Sequence, residues 1–156
     1  MATIKDQFAA PAAFTISLNS LASSNAGAGR QSTLVDNTTN LYESAIVSVS
    51  LKMGTTPTAN TLCYVYLIRS NNDSTPLVDD GAGASDAAIT IVESSLLGVL
   101  VCPSATTGLQ ITKNFDTSPL GPLGPKWGIA VVNSTQVALS SSGHTASYIG
   151  RTQTVA

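Results

Sequence analysis

The stretch Ala45-Ile-Val-Ser-Val-Ser-Leu-Lys-Met53 decides the fold class. Val47, Val49, Leu51 and Met53 fall on one side of an extended chain, and Ser48, Ser50 and Lys52 on the other. A period of two residues is the signature of a strand with one buried face. Working outward, Phe14, Ile16 and Leu18 alternate with Thr15, Ser17 and Asn19 and predict an earlier strand. The turn cluster Gly54-Thr-Thr-Pro-Thr-Ala-Asn60 follows the central run. Leu62–Ile68 is continuously apolar and aromatic, which predicts a strand covered on both faces. Asn71-Asn-Asp-Ser-Thr-Pro76 is a second turn cluster, and Ala88–Val92 and Leu96–Cys102 read as two further strands. Leu109, Ile111 and Phe115 mark another strand, as does Trp127-Gly-Ile-Ala-Val-Val132. Asn133-Ser134 reads as a hairpin turn into Gln136–Leu139, and Ala146–Ile149 is the last run.

About eight to ten short strands at this spacing predict an all-β fold, a single jelly-roll-like β-sandwich. No segment keeps a 3.6-residue apolar period over three turns. The small-residue segment Ser20–Gly29 separates the first strand from the rest. This divides the chain into an extended N-terminal arm with its linker, residues 1–29, and a sandwich domain, residues 30–156. The arm either pairs with a neighbouring subunit or is an ordinary first strand.

At 156 residues the chain suffices for one domain with a real core. Charged residues are only 10%, against roughly 25% in ordinary soluble domains. Ser and Thr make up about a quarter of the chain. A polar but uncharged surface loses little desolvation energy when another subunit covers it. The net charge is −2, and Lys5, Arg30, Lys52, Arg69, Lys113, Lys126 and Arg151 are scattered singly. That pattern predicts no nucleic-acid partner. No apolar run approaches the ~20 residues of a membrane span, so no membrane partner is expected. Met1–Phe8 carries Lys5 and Asp6 and does not read as a signal peptide, which points to a cytosolic origin. Cys63 and Cys102 each lie in an apolar run and read as buried free thiols.

Three features could carry chemistry. Asp79-Asp-Gly-Ala-Gly-Ala-Ser-Asp86 offers Asp79, Asp80 and Asp86 as weak candidate ligands for a hard cation. It lacks the spacing of a calcium-binding EF loop and of a phosphate-binding loop, and reads more simply as an acidic turn. No metal or cofactor is therefore expected. The lone histidine, His144, lies in a loop without the partners of a hydrolytic triad, so the chain does not read as an enzyme. In Asp116-Thr-Ser-Pro-Leu-Gly-Pro-Leu-Gly-Pro-Lys-Trp127, three prolines fix a rigid connection. It either tucks Leu120 and Leu123 under the sandwich or projects them into a neighbour.

Three phrases carry a resemblance: Gly29-Arg-Gln-Ser-Thr-Leu-Val-Asp-Asn-Thr-Thr39, the Asp79–Asp86 loop, and Phe115-Asp-Thr with Gly121-Pro-Leu-Gly-Pro-Lys-Trp-Gly128. Together they resemble uncharacterised proteins encoded among the head and structural genes of tailed bacteriophages, over about Gly29 to Gly150. Size, neutral surface and β-pattern are also similar to capsid decoration (cement) proteins, which are often jelly rolls or small sandwiches. The resemblance implies a place on the capsid surface of a virion assembled in the host bacterial cytoplasm. It implies the major capsid protein and further copies of the chain, often a homotrimer, as partners. Phe8, Phe14, Leu120 and Leu123 are the contact residues expected on that reading. Removing residues 1–20 is then expected to abolish particle binding and spare the fold. The competing expectation is a tail, fibre or adhesin module that binds a host glycan, against which the 5% aromatic content counts.

Overall fold

The computed structural model describes residues 4–23, 28–70, 85–88 and 95–155. Its strands are β1 (Ile4–Phe8), β2 (Ala12–Ala13), β3 (Ala28–Gln31), β4 (Val35–Asp36), β5 (Ser44–Lys52) and β6 (Leu62–Ser70). They continue with β7 (Ala87–Ala88), β8 (Leu96–Val101), β9 (Gln110–Asp116), β10 (Lys126–Ser134) and β11 (Thr145–Val155). β5, β6, β8, β9, β10 and β11 fall on expected runs, β1 and β3 lie outside any of them, and the expected strand Ala88–Val92 lies, beyond Ala88, outside the described residues. The only helical turn among the described residues is the short 3-10 turn Ser118–Leu120.

The strands form two antiparallel sheets packed as a sandwich. The first runs β1-β11-β5-β9, with β2 also on β11; the second runs β7-β3-β10-β6-β8, with β4 also on β10. The fold is all-β and agrees with a jelly-roll-like sandwich. The alternation in β5 is realised as read. Val47, Val49 and Leu51 are fully buried, and Met53 just beyond them nearly so, while Ile46 faces solvent. Opposite them lie Cys63, Val65 and Leu67 of β6 and Trp127, Ile129 and Val131 of β10. Trp127 is the largest buried side chain. It meets Phe14 edge-on at 5.4 Å and Tyr148 at 5.0 Å.

Three expectations change. The first is the strand over Phe14–Leu18. Its burial alternates as expected, with Phe14 and Leu18 in the core, but the segment joins no ladder. It crosses from one sheet to the other: the Phe14 N–H donates to the Ala146 carbonyl of β11, while the Thr15 carbonyl accepts from Thr33, next to β3. A chain that changes sheets gives its backbone groups to different partners and so closes the side of the sandwich. Leu21, inside the expected linker, is fully buried as well. Residues 1–29 therefore split, with Ile4–Phe8 outside the core and Phe14–Leu21 within it. Removing residues 1–20 strips Phe14 and Leu18 from the core and is therefore expected to cost the fold rather than spare it.

The second change concerns the hairpin at Asn133-Ser134. β10 continues through Ser134, and both of its edges are already taken, by β6 on one side and by β3 and β4 on the other. No free edge remains for a hairpin partner, and the chain leaves for the first sheet, where Leu139 bridges Met53. Asn133 is fully buried and holds this corner. Its Nδ2 donates to the Leu21 and Val137 carbonyls at 3.1 and 2.9 Å. Its Oδ1 accepts from the Thr135 N–H and hydroxyl.

The third change is which strand is covered on both faces. In β6 the burial largely alternates, with Tyr64 and Tyr66 half-exposed. In β10, Trp127 through Asn133 are all buried, including Ala130 and Val132, which face away from the core. Cys63 and Cys102 are buried and free, as expected.

Candidate interaction surface

Residues directly opposite in an antiparallel pair share a face. The registers of the first sheet therefore assign its outer face. Ile46, Ser48, Ser50 and Lys52 of β5 lie beside Asp116, Asn114, Thr112 and Gln110 of β9. On their other side stand Ile149, Ser147 and Thr145 of β11. The Ser50 and Thr112 hydroxyls bond each other at 2.7 Å, and Gln110 donates to Ser50 at 3.0 Å. Apart from Lys52 and Asp116, hydroxyls and amides that satisfy one another keep the face polar without charge, and little must be desolvated to cover that part of it.

β11 outlasts its neighbour. β5 pairs with it only from Thr145 to Arg151, and beyond that β11 pairs with β1 alone, Phe8 against Arg151 to Ile4 against Val155. The result is a two-stranded ribbon at the end of the sheet. One of its faces carries Phe8, Arg151, Asp6, Gln153, Ile4 and Val155, and the other Lys5, Gln7, Thr152 and Thr154. Ile4 is 66%, Phe8 59% and Val155 74% exposed. A two-stranded ribbon is marginal in water without an apolar face packed on something. Every residue of β1 is exposed, so among the described residues this face covers nothing. β1 is also an edge strand, with one row of backbone groups turned to solvent.

The four expected contact residues separate accordingly. Phe8 lies on the ribbon and is exposed. Phe14 is in the core against Trp127, and Leu123 is fully buried. Both are consumed by the chain's own packing and leave no side chain to offer. Leu120 is partly buried against the same core. The proline-rich connection is tucked in by Arg69, whose guanidinium donates to the Leu120 carbonyl at 2.6 Å, and by the Leu123 N–H, which donates to the Glu43 carbonyl at 3.2 Å.

Of the acidic loop, Asp79 and Asp80 lie outside the described residues. Asp86 is committed: one carboxylate oxygen accepts from Arg30 Nε and the other from the Ala22 N–H at 3.1 Å. Arg30 also donates to the Ser17 and Asn19 carbonyls at 2.8 and 3.0 Å. This node fastens the crossing segment to the second sheet, which leaves Asp86 little capacity for a cation. Among the described residues no cluster of three His, Cys, Asp or Glu side chains is arranged to hold a metal.

His144 is better anchored than a solvated loop histidine. Its Nδ1 accepts from the Lys52 N–H at 3.2 Å, and its Nε2 lies 2.8 Å from the Ser140 carbonyl. A ring protonated on Nε2 satisfies both and clasps the loop to β5. It lines a groove of about 680 Å³ with Phe14, Ile16 and Leu18 and with the hydroxyl residues Ser17, Thr145 and Ser147.

Two carboxylates are tuned by turns. Asp36 and Asp116 are held below the usual carboxylate range, first by the side-chain hydroxyl and then by the backbone N–H two residues on, at Thr38 and Ser118. Both are turn locks in the sense of the Asx motif. The ribbon escapes a reading of the sequence. The available signal is the alternation of Ile4, Asp6 and Phe8 with Lys5 and Gln7, too short and too polar to stand out.

No protein-family model matches the chain, and no curated protein matches it. Among solved structures, it is similar to one of the Gx strain of infectious bursal disease virus, at 15% identity and a TM-score of 0.23. That alignment covers 96% of this chain and 40% of the other. A structure of the Gt strain aligns at 13% identity and a TM-score of 0.20, covering 97% of this chain and 41% of the other. The chain thus spans about two fifths of the length of these structures. At such scores the likeness carries no argument about function.

Proposed function

We propose that this protein is a virion structural protein that decorates the capsid of a tailed bacteriophage, lying on the shell and bridging its subunits. One observation carries the reading. The terminal ribbon holds Ile4, Phe8 and Val155 in solvent, at the end of a sheet face that is otherwise neutral and hydroxyl-rich. Such a surface gains by being covered and loses little in desolvation. Exposed apolar side chains grouped on one element mark contact sites. The mechanism is cross-linking: each copy buries surface against shell subunits, and expansion of the shell must break those contacts too. The shell protein and other copies of this chain are the partners on this reading.

The test is addition of the purified chain to undecorated phage shells, followed by co-sedimentation. The full chain is expected to pellet with the shells and raise their melting temperature. A chain lacking residues 1–8 is expected to stay in the supernatant. Equal occupancy by both chains would refute the ribbon as the contact element, and absence of binding by either would refute the decoration role.

A further inference from the structure

A second feature lies at the ribbon's base and shares Phe8 with its apolar face. Arg151, Ser44 and Phe8 stand in a row across three strands, Phe8 opposite Arg151 and Arg151 opposite Ser44. Beside them is a hollow of about 300 Å³ lined by Glu43, Ser44, Ser118, Gly121, Pro122 and Arg151. The Ser44 hydroxyl is buried there without a hydrogen-bond partner. A buried, unsatisfied hydroxyl costs free energy unless something reaches it.

Two charges line the same hollow and neither is paired. The backbones of Glu43 and Arg151 are joined, the Glu43 N–H donating to the Arg151 carbonyl at 3.0 Å. Their side chains nevertheless form no ion pair; among the described residues the ion pairs are Arg30–Asp86 and Lys126–Asp36. Asp116, the other carboxylate near Arg151, is committed to Ser118 through its Oδ1. Arg151 is half-buried and Glu43 is exposed beside it. An arginine beside an exposed aromatic ring is the composition of an interface hot spot.

We infer that this hollow is a two-fold contact between copies of the chain, in which Arg151 of each copy meets Glu43 of the other across the Ser44 hydroxyl. The occupant follows from the charges. A rim with one cation and one anion, neither in an ion pair among the described residues, complements itself when turned by a two-fold axis. Phe8, opposite Arg151, and Ile46, two residues beyond Ser44, are exposed beside the pair and are covered with it in this contact. The inference deepens the assembly reading but does not need the shell.

The test is sedimentation of the purified full chain, with Arg151→Glu, Glu43→Arg and the double variant carrying both, each first checked for an unchanged melting temperature. The parent chain is expected at twice its own mass. Each single variant places like charges across the contact and is expected to associate roughly 100-fold more weakly. The double variant restores opposite charges and is expected to recover the pair. A parent chain that stays single, an oligomer of any size that ignores the single variants, or a folded double variant that fails to re-associate would each overturn the inference. Pairs that form normally yet ignore shells would support it while ending the decoration reading.

Discussion

Within one strand, β11, two halves of similar composition have opposite fates. From Thr145 to Gly150 the strand pairs with β5, and at Ser147 and Tyr148 also with β2; Ala146 enters the core and Tyr148 packs on Phe14 and Trp127. From Arg151 to Val155 it has β1 as its ladder partner, and Val155 is 74% exposed. Gly150 stands at the boundary. A Cβ there would come within 2.5 Å of the Tyr42 ring, so the inner half is packed to contact up to its last residue. Serines, threonines and β-branched residues suit a pleated strand equally well in both halves. What differs is whether a second layer lies beneath. Strand formation is thus a local property here, and burial a property of what the neighbours bring.

That contrast is broken most severely by attacking the inner half's support. Trp127→Ala removes the ring on which Phe14 and Tyr148 rest and is expected to cost about 3–5 kcal/mol in denaturant unfolding. A cost under about 1 kcal/mol would mean that the inner half is not the core. Next comes Asn133→Ala. It leaves the Leu21 and Val137 carbonyls and the Thr135 N–H without their partner in a buried corner, and is expected to cost about 2–4 kcal/mol.

A third effect appears in alkali. Burial pushes the Cys63 thiol up to about 12 from an ordinary 9.0. A raised native value means that the folded state holds the proton more tightly than the unfolded chain does. That contribution is complete below pH 9 and is lost as pH climbs toward 12. Stability is therefore expected to fall across that window, and to fall less steeply in Cys63→Ala. Burial also raises Cys102, Tyr66 and Tyr148, so a residual slope should remain. An identical slope in the variant would place Cys63 in a wetter setting than the one described.

The smallest expected effect on stability belongs to the outer half. Deleting residues 1–8 removes an entirely exposed strand and is expected to cost less than about 1 kcal/mol, read by the same denaturant titration. A cost approaching that of Trp127→Ala would erase the distinction between the halves.

The legibility of the sequence follows the same line. Val47, Val49, Leu51 and Met53 announce their face because alternation and burial coincide in β5. Trp127–Val132 is evident as a strand, although its double covering is not, since Gly128 and Ala130 look neutral in the sequence. Phe14–Leu18 reads correctly for burial and wrongly for pairing, because a chain that crosses between sheets alternates just as a laddered one does. Asn133 reads as a turn residue. Its side chain does hold a turn, but from inside the core, and nothing in Asn-Ser distinguishes the two. At the surface, the resemblance points to Phe8, which is exposed, and equally to Phe14 and Leu123, which the core consumes. The Arg151–Glu43 hollow is not legible at all, since register alone brings residues 43 and 151 together.

The central claim is that the ribbon is built to be covered. Amide hydrogen exchange at the ribbon's tip, residues 4–6 and 153–155, compared between the free chain and the chain on shells, tests it most directly. Exchange there is expected to be fast in the free chain and strongly slowed on shells, while Trp127–Val132 stays slow throughout. Ribbon amides that exchange at one rate in both states, with the chain demonstrably bound, would contradict it.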